Sequence, residues 1–510
     1  MNNDIVRACK PDPKRSIYLL GGMSWRVSLH TQQRRALDLV DAVASSIASG
    51  TDVAVVGGGV AGVMCAAAMF VRGYQVTLFE RADVLMPLQR KNTTRFIHPN
   101  SVTWPYSSLP SSTDLPFLNW HSAFSNEIAD MIEQEFRSGF VGAEHQGINV
   151  NLATNVTKIE NRNNKLRVTF KDGGDERYDL FTAVFATTGF SSERKISGYD
   201  RFSYWEDTSP IPIGSKFEKP SVAIVGDGDG ALVELIRCAW PNENIDQLYR
   251  FVADKFVVDV EKQDLIKTEE ETARTVFSTD PQGAQEALST VYLGDILSPQ
   301  GKKFLRSRYN DAVTMTLLSK FSQPFSPRAS PIHKVLLGFL LSENLLTRIE
   351  LEATGVVFRD DSYFVQGEAA SGQIEVGPFS RVLERIGPRR SYCPLANDTF
   401  GASKLEAFSK DNAAEFDFSN SISTDKYGPA AQVRGPLSEV TPIETARDRL
   451  ERYYRSNYPR KVAEVAIGKV DQNPGFRVIV HEENLKWDGP TVYAGYNIEY
   501  ERAKGPPRVI

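Results

Sequence analysis

Val53–Gly62, VAVVGGGVAG, and Tyr74–Glu80, YQVTLFE, decide how this chain is read. Val53 to Val56 predict a short apolar strand. The small and apolar residues from Val60 to Arg72 predict a helix stopped at Gly73, and Tyr74 to Glu80 predict a second strand. Strand, turn, helix and strand make a βαβ unit. Within it Gly57, Gly59 and Gly62 fall as G-x-G-x-x-G, directly after the first strand and at the opening of the helix. The first glycine permits the tight turn, the second lets backbone approach a diphosphate, and the third lets the helix pack close to the strand. Val60 and Ala61 open the helix, whose free amides point toward the phosphates. Glu80, with Arg81 beside it, closes the next strand. A carboxylate there accepts both hydroxyls of a ribose and disfavours a 2′-phosphate through like charge, so the expected ligand is FAD or NAD and not NADP. The alternative is a glycine turn that binds nothing. The charge-free run from Val53 to Val71 is long enough to cross a bilayer, but its patterned glycines predict strand, turn and helix instead.

The rest of the chain repeats this order. At 510 residues it suits two large domains and a small one. Gln32 to Ile47 predict a leading helix, and Leu85 to Pro116 a long loop. Phe124, Ile128, Met131, Ile132 and Phe136 form one apolar helix face. Ile148 to Phe170 alternate as a β-meander, and Leu180 to Ala186 predict a buried strand ending at Thr187, Thr188 and Gly189. Pro220 to Val225 begin a second strand, with its own glycine turn and helix. Residues 256 to 345 read as mainly helical, Ile349 to Glu375 as short strands, and Val382 to Ile386 as a strand stopped at Gly387-Pro388. Ser391 to Val440 read as linker, followed by a helix from Ile443 to Tyr454 and strands near Phe476–His481 and Thr491–Tyr500. The expected fold class is α/β: two Rossmann-like dinucleotide-binding domains with β-meanders, plus a small C-terminal α/β module. The expected boundaries are 1–205, 206–390, a linker over 391–440, and 441–510.

VAVVGGGVAG, the terminal Glu80, the meander and FATTGF (Phe185–Phe190) together resemble the two-dinucleotide-binding flavoproteins, the FAD- and NAD(P)-dependent oxidoreductases. The likeness covers residues 50–200 well and 220–390 loosely. It implies FAD on the first fold, Thr188 and Gly189 lying against it, and backbone near Val156 meeting the adenine. More narrowly, SLHTQQRRALDLVDA, RFIHPNSVTWP and LPFLNWHSA resemble segments of an uncharacterised group of bacterial FAD/NAD(P)-binding proteins, which supplies no substrate. Neither a CxxC after a glycine turn, as thiol-disulfide reductases carry, nor the F-x-G-x-x-x-H of flavin monooxygenases is present. The family's late Gly-Asp has no counterpart but Gly294-Asp295, which falls among helices.

The second turn, Gly226-Asp227-Gly228-Asp229-Gly230-Ala231, fits G-x-G-x-x-A, with Gly226, Gly228 and Ala231 in the key places. It is shaped for NAD(P)H, yet Asp227 and Asp229 repel a diphosphate unless they turn away or hold a cation. The place equivalent to Glu80 is expected near Tyr249 and Arg250, and a guanidinium there suits NADPH. Arg95 and His98 are the catalytic candidates: Arg95 for a substrate carboxylate or flavin phosphate, His98 as acid or base, each weighed against a structural role. Trp104 and Trp120 read as core, and Glu269-Glu270-Glu271 as a solvated helix face. Arg452, Arg455, Arg460 and Lys461 form a basic cluster expected to be solvated.

Hydrophobic residues at 41%, charged residues at 24% and a net charge of −5 are ordinary for a globular protein and give no broad field to hold nucleic acid. The scattered Cys9, Cys65, Cys238 and Cys393 predict reduced thiols and no metal site, and no secretory signal is evident. The expectation is a cytoplasmic FAD-dependent oxidoreductase, reduced by NAD(P)H and passing electrons to oxygen or a small organic acceptor. Its partners are expected to be small molecules, with no nucleic acid or membrane, and with protein docking open to the C-terminal module. Two rivals stand: a substrate oxidase whose second fold binds no nucleotide, and a sensing or interaction protein that keeps both folds without turnover.

Overall fold

The computed structural model describes residues 2–20, 27–106, 109–141, 147–189, 195–196, 203–206, 208–212, 219–241, 243–256, 260–387 and 394–411, and strands within 462–502. The chain divides into two compact units, Met1–Pro429 and Ala430–Ile510.

The first unit opens with α1 (Asn2–Cys9), β1 (Ile17–Leu19) and α2 (Leu29–Ala44). Ser28 caps α2, its side chain accepting the Thr31 amide while the Thr31 hydroxyl accepts the Ser28 amide. The βαβ unit follows as β2 (Asp52–Val56), α3 (Val60–Val71) and β3 (Gln75–Phe79), with Gly73 at φ 84° ending the helix. Among its described residues the long loop carries α4 (Pro87–Arg90), β4 (Phe96–Ile97) and β5 (Ala123–Phe124), and it leads into α5 (Ser125–Phe140). Then come β6 (Asn149–Asn151), the meander β7 (Thr154–Arg162), β8 (Lys165–Asp172) and β9 (Asp175–Phe181), and β10 (Ala183–Ala186). Strands β1, β10, β2, β3 and β6 lie in that order in one parallel sheet. Because both faces of such a sheet are covered, its strands are continuously apolar. One face packs Val53 and Val55 against the helices through Leu37, Val63 and Ile132. The other packs Ala54, Val56 and Phe79 against Ile159, Val168 and Phe170 of the meander.

The second layer repeats the plan. It comprises β11 (Ser221–Val225), α6 (Asp229–Ala239), α7 (Ile245–Arg250), a π-helical turn (Phe251–Phe256), α8 (Val260–Val276), α9 (Pro281–Tyr292) and α10 (Pro299–Ser307). Strand β12 (Thr314–Ser319) and α11 (Pro331–Ser342) come next, then β13 (Thr347–Glu350), the meander β14 (Glu352–Arg359), β15 (Ser362–Ala369) and β16 (Gly372–Phe379), and β17 (Arg381–Glu384). The parallel order is β13, β12, β11, β17. Two short helices, α12 (Pro394–Phe400) and α13 (Ala402–Asp411), follow within the stretch expected to be linker.

The span 256–345 is mainly helical, as expected, and within it TMTLLS forms β12, since its short apolar run completes a sheet that α8 to α10 only cover. One expectation is corrected here: the acidic run at 269–271 is not wholly solvated. Glu270 lies on the same stripe of α8 as Ile266 and Ala273 and is fully buried. There it accepts Lys334 Nζ at 2.5 Å and the Tyr292 hydroxyl at 2.5 Å. Trp104 and Trp120 are core, as expected.

In the second unit β18 (Val462–Val470), β19 (Asn473–Val480), β20 (Val492–Tyr493) and β21 (Tyr496–Arg502) form one sheet, in the order β18, β19, β21, β20. The pair β19–β21 is parallel and the other two pairs antiparallel. The expected helix at Ile443–Tyr454 and the basic cluster lie outside the described residues.

Candidate functional site: two glycine turns in matching register

Strand β2 ends at Val56, paired with Phe79 of β3, and the chain turns at Gly57 with φ 110°. The Gly57 amide donates to Phe79 O (2.8 Å), the Thr187 amide to Val56 O (2.8 Å), and the Thr187 hydroxyl to Gly57 O (2.8 Å). A Cβ on Gly57 would stand 2.7 Å from Thr187 O, and one on Gly62 1.8 Å from Gly57 O. Those two glycines are required by the protein's own packing. Gly59 differs: it is the N-cap of α3, supplies no side-chain cap, and a Cβ on it would meet nothing within 4 Å. The amino end of a 12-residue helix thus faces open space where the sequence places a diphosphate.

Glu80 is 8% exposed and ties this turn together, its Oε2 accepting the Gly58 amide (2.6 Å) and its Oε1 the Ala82 amide (2.8 Å). Each carboxylate oxygen keeps a further acceptor position for a ribose hydroxyl. Arg81 beside it is exposed. The Thr154 amide donates to Glu80 O (2.8 Å), which brings the start of β7, and Val156 two residues on, to the same edge. Thr188 and Gly189, the latter at φ 75°, are exposed past the end of β10. An open glycine cap, two acceptor oxygens and exposed backbone at Thr188 and Gly189 fit the groups of FAD.

The second turn reproduces this geometry. Gly226 (φ 130°) donates to Leu318 O (2.9 Å), the Arg385 amide donates to Val225 O (2.8 Å), and a Cβ on Gly226 would lie 2.4 Å from Arg385 O. Gly228 caps α6 with nothing within 4 Å of an added Cβ, and Ala231 is buried. Gly387, at φ 78°, stands past the end of β17 as Gly189 does past β10. Both acids are turned aside: Asp227 Oδ2 accepts Gln285 Nε2 (2.8 Å), and Asp229 Oδ1 accepts the Ser330 amide (2.8 Å) and His333 Nδ1 (2.6 Å).

The register corrects one expectation. Val225 pairs with Leu318 as Val56 pairs with Phe79, so the counterpart of Glu80 is Ser319 and not Tyr249 or Arg250. The reason is the helical insertion α7 to α10, which separates β11 from its neighbouring strand in sequence. Tyr249 and Arg250 lie on α7 and not at the end of the strand that pairs with β11.

Arg95 and His98 sit in buried polar networks. Arg95 is 1% exposed, its Nη2 lies 2.9 Å from Glu234 Oε1, and its guanidinium carbon lies 3.6 Å from the centre of the Tyr204 ring. Arg385 and Arg237 also bind Glu234, at 2.7 and 2.8 Å. Burial by itself would raise the Glu234 carboxyl, but the three guanidinium groups hold it down at about 2. The cluster joins the long loop of the first layer to α6 and β17 of the second, and leaves Arg95 no exposed face for a substrate. His98 accepts the Asn100 amide at Nδ1 (3.1 Å), and its Nε2 lies 3.6 Å from Asp246 Oδ1 on α7. Neither contact is with the first glycine turn. Gly294-Asp295 is exposed between α9 and α10, with Asp295 held by Lys302 (3.1 Å).

Burial pushes His98 and the buried His30 down to about 4 from 6.5. A base whose folded value is depressed contributes stability above its unfolded value, and that contribution is lost as pH falls toward the folded value. We therefore expect unfolding in urea to come earlier between pH 6.5 and 4, by up to about 1.4 kcal/mol per pH unit for each histidine. The shift should shrink in His98→Asn. A urea midpoint that stays flat from pH 7 to 5 would refute the assignment.

Residues 52–148 match the family described as FAD dependent oxidoreductase (DAO). No curated protein sequence matches significantly. Among solved structures the chain resembles the bacillithiol disulfide reductase Bdr (YpdA) of Staphylococcus aureus, at 14% identity and a TM-score of 0.40, over 70% of this chain and 80% of that one. It also resembles the thioredoxin reductase of Lactococcus lactis (13%, TM-score 0.34, 66% and 77%). The water-forming NADH oxidase of Lactobacillus brevis is a third (12%, TM-score 0.31, 67% and 54%). At these scores the superpositions carry no chemistry, and the assignment rests on the matched segment, which runs from β2 through the first glycine turn and Glu80 to the end of α5 and beyond. The likeness to the FAD dependent oxidoreductases is thus a property of residues 52–148, the segment that holds the first glycine turn and Glu80.

Proposed function

We propose that the chain is reduced by NAD(P)H at its second glycine turn and delivers the electrons, through FAD held at Gly57, Gly59, Val60, Ala61, Gly62 and Glu80, to oxygen or a small organic acceptor. The observation that carries this reading is the register match: two parallel sheets, each with a glycine turn, an open glycine cap and a glycine at positive φ past the adjoining strand. When bound, the flavin supplies the redox chemistry. The chain's part is to hold the ribose through Glu80, to offer α3 amides to the diphosphate, and to set Thr188 and Gly189 beside the ring system. Gly226, Gly228 and Ala231 do the same for the nicotinamide nucleotide.

Ser319 in place of an acid removes the like charge that Glu80 would set against a 2′-phosphate, and the adjacent Lys320 is exposed and paired to Glu352 at 2.8 Å. NADPH is the reductant we favour. Among the described residues no thiol is placed to reduce a disulfide: Cys9, Cys65 and Cys238 are buried free thiols and burial raises all three, Cys9 to about 11, while Cys393 lies outside those residues. No helix among the described residues is long and apolar enough to cross a membrane, and a cytosolic setting belongs to the same reading.

Purified protein is expected to be yellow, to bleach when mixed anaerobically with NADPH, and to bleach more slowly with NADH. Ser319→Glu should reverse that order of preference. A flavin-loaded protein inert to both nucleotides would favour a substrate oxidase, and a colourless protein that FAD cannot reconstitute would favour the sensing reading.

A further inference from the structure

We propose that His333 is a positioning residue that opens the second glycine turn to a dinucleotide by holding the Asp229 carboxylate away from the diphosphate site; the proposal rests on the reading of that turn given above. Asp229 is the first residue of α6, whose N-cap, Gly228, has no side chain. A free carboxylate at that place would turn back onto the amides of its own helix, because the positive end of the helix attracts it as it attracts a phosphate. Asp229 would then compete with the ligand from within the chain. Instead its Oδ1 reaches the start of α11, where it accepts the Ser330 amide (2.8 Å) and His333 Nδ1 (2.6 Å). The acid thus caps the neighbouring helix, and its own helix is left open.

This arrangement requires the His333 proton on Nδ1. Tyr249 supplies the reason: its hydroxyl lies 2.7 Å from His333 Nε2 and donates to it, which leaves Nδ1 as the donor toward Asp229. Tyr249 is 5% exposed, and burial raises it well above the usual phenol value, so it keeps its proton. Asp227, the other acid of the loop, is held in the same way by Gln285 at 2.8 Å. The sequence places two carboxylates where a diphosphate has to sit, and partners on α9 and α11 draw both off it.

A pair of substitutions at one position separates orientation from packing. An asparagine amide at 333 falls near the place of Nδ1 and can still donate to Asp229. A glutamine amide falls near the place of Nε2 and cannot. In the FAD-loaded full chain, anaerobic stopped-flow bleaching by NADPH should show the half-saturating concentration raised about tenfold in His333→Gln, the equivalent of 1.4 kcal/mol, with the limiting rate unchanged. His333→Asn should stay near the parent, and His333→Gln combined with Asp229→Asn should recover. Flavin content, measured on each variant, reports folding independently. The proposal is overturned if His333→Gln binds NADPH like the parent, or if the double variant remains as weak as His333→Gln. A parent that retains FAD but is bleached by neither NADPH nor NADH would overturn the reading of the second turn, and this inference with it.

Discussion

Gly59→Asp is expected to give a folded protein that no longer holds FAD. An added Cβ at Gly59 meets nothing of the protein within 4 Å, and the residue's φ of −73° is open to any amino acid, so the chain itself has no reason to reject the substitution. The space it enters belongs to the ligand. An aspartate there caps α3 with its own carboxylate, worth about a few tenths of a kcal/mol over glycine, and so leaves the apoprotein at least as stable while excluding a diphosphate by charge and volume. The flavin absorbance per protein should fall to near zero while far-ultraviolet circular dichroism is retained. Gly62→Ala is the matched control: its Cβ would stand 1.8 Å from Gly57 O, so it should damage the fold itself. Equal flavin content in Gly59→Asp and the parent would remove the first glycine turn as the cofactor site. Glu80→Ala should weaken retention less severely, though it also strips partners from the Gly58 and Ala82 amides.

The second large effect is expected at Glu234, the buried carboxylate shared by Arg95, Arg385 and Arg237. Glu234→Gln keeps the shape and removes the charge, which leaves Arg95 and Arg385 buried without a counter-ion. Breaking a buried pair from one side costs about 3–5 kcal/mol, and urea unfolding should come correspondingly earlier at pH 7. The loss should be smaller for Arg237→Gln, whose side chain is the most exposed of the three arginines at 13%. The acid dependence carries a sign of its own. With the folded value held at about 2 against 4.5 for a free glutamate, Glu234 contributes above pH 4.5, and its contribution fades as pH falls toward 2. Glu234→Gln should lack that dependence. An unchanged urea midpoint in the variant would show that the cluster does not hold the two layers together.

Much of the fold was legible in the residues because its signals are local. VAVVGGGVAG and YQVTLFE specify strand, turn, helix and strand within the 28 residues from Val53 to Glu80, and SVAIVGDGDGA repeats the pattern. Meanders show as alternation and capping glycines as punctuation. The register-dependent facts were not legible in this way. The charge of Glu270 points to solvent, while its spacing from Ile266 and Ala273 puts it on the buried stripe, and that periodicity is the signal that finds it.

By itself the sequence determined an α/β chain with two dinucleotide-type glycine turns, the first followed by an acid at the end of the next strand. Those features depend on backbone conformation and contacts between near neighbours, which residue order encodes directly. Only the tertiary structure decided that Ser319 is the partner position to Glu80, that Arg95 and His98 are buried in networks reaching the second layer, and that Asp229 and Asp227 face away from their own turn. Each of these depends on groups brought together from far along the chain, such as Asp229 with His333 and Arg95 with Glu234. Charge and hydrogen-bond partners of that kind follow from sheet order and the packing of inserted helices, and no local pattern records them.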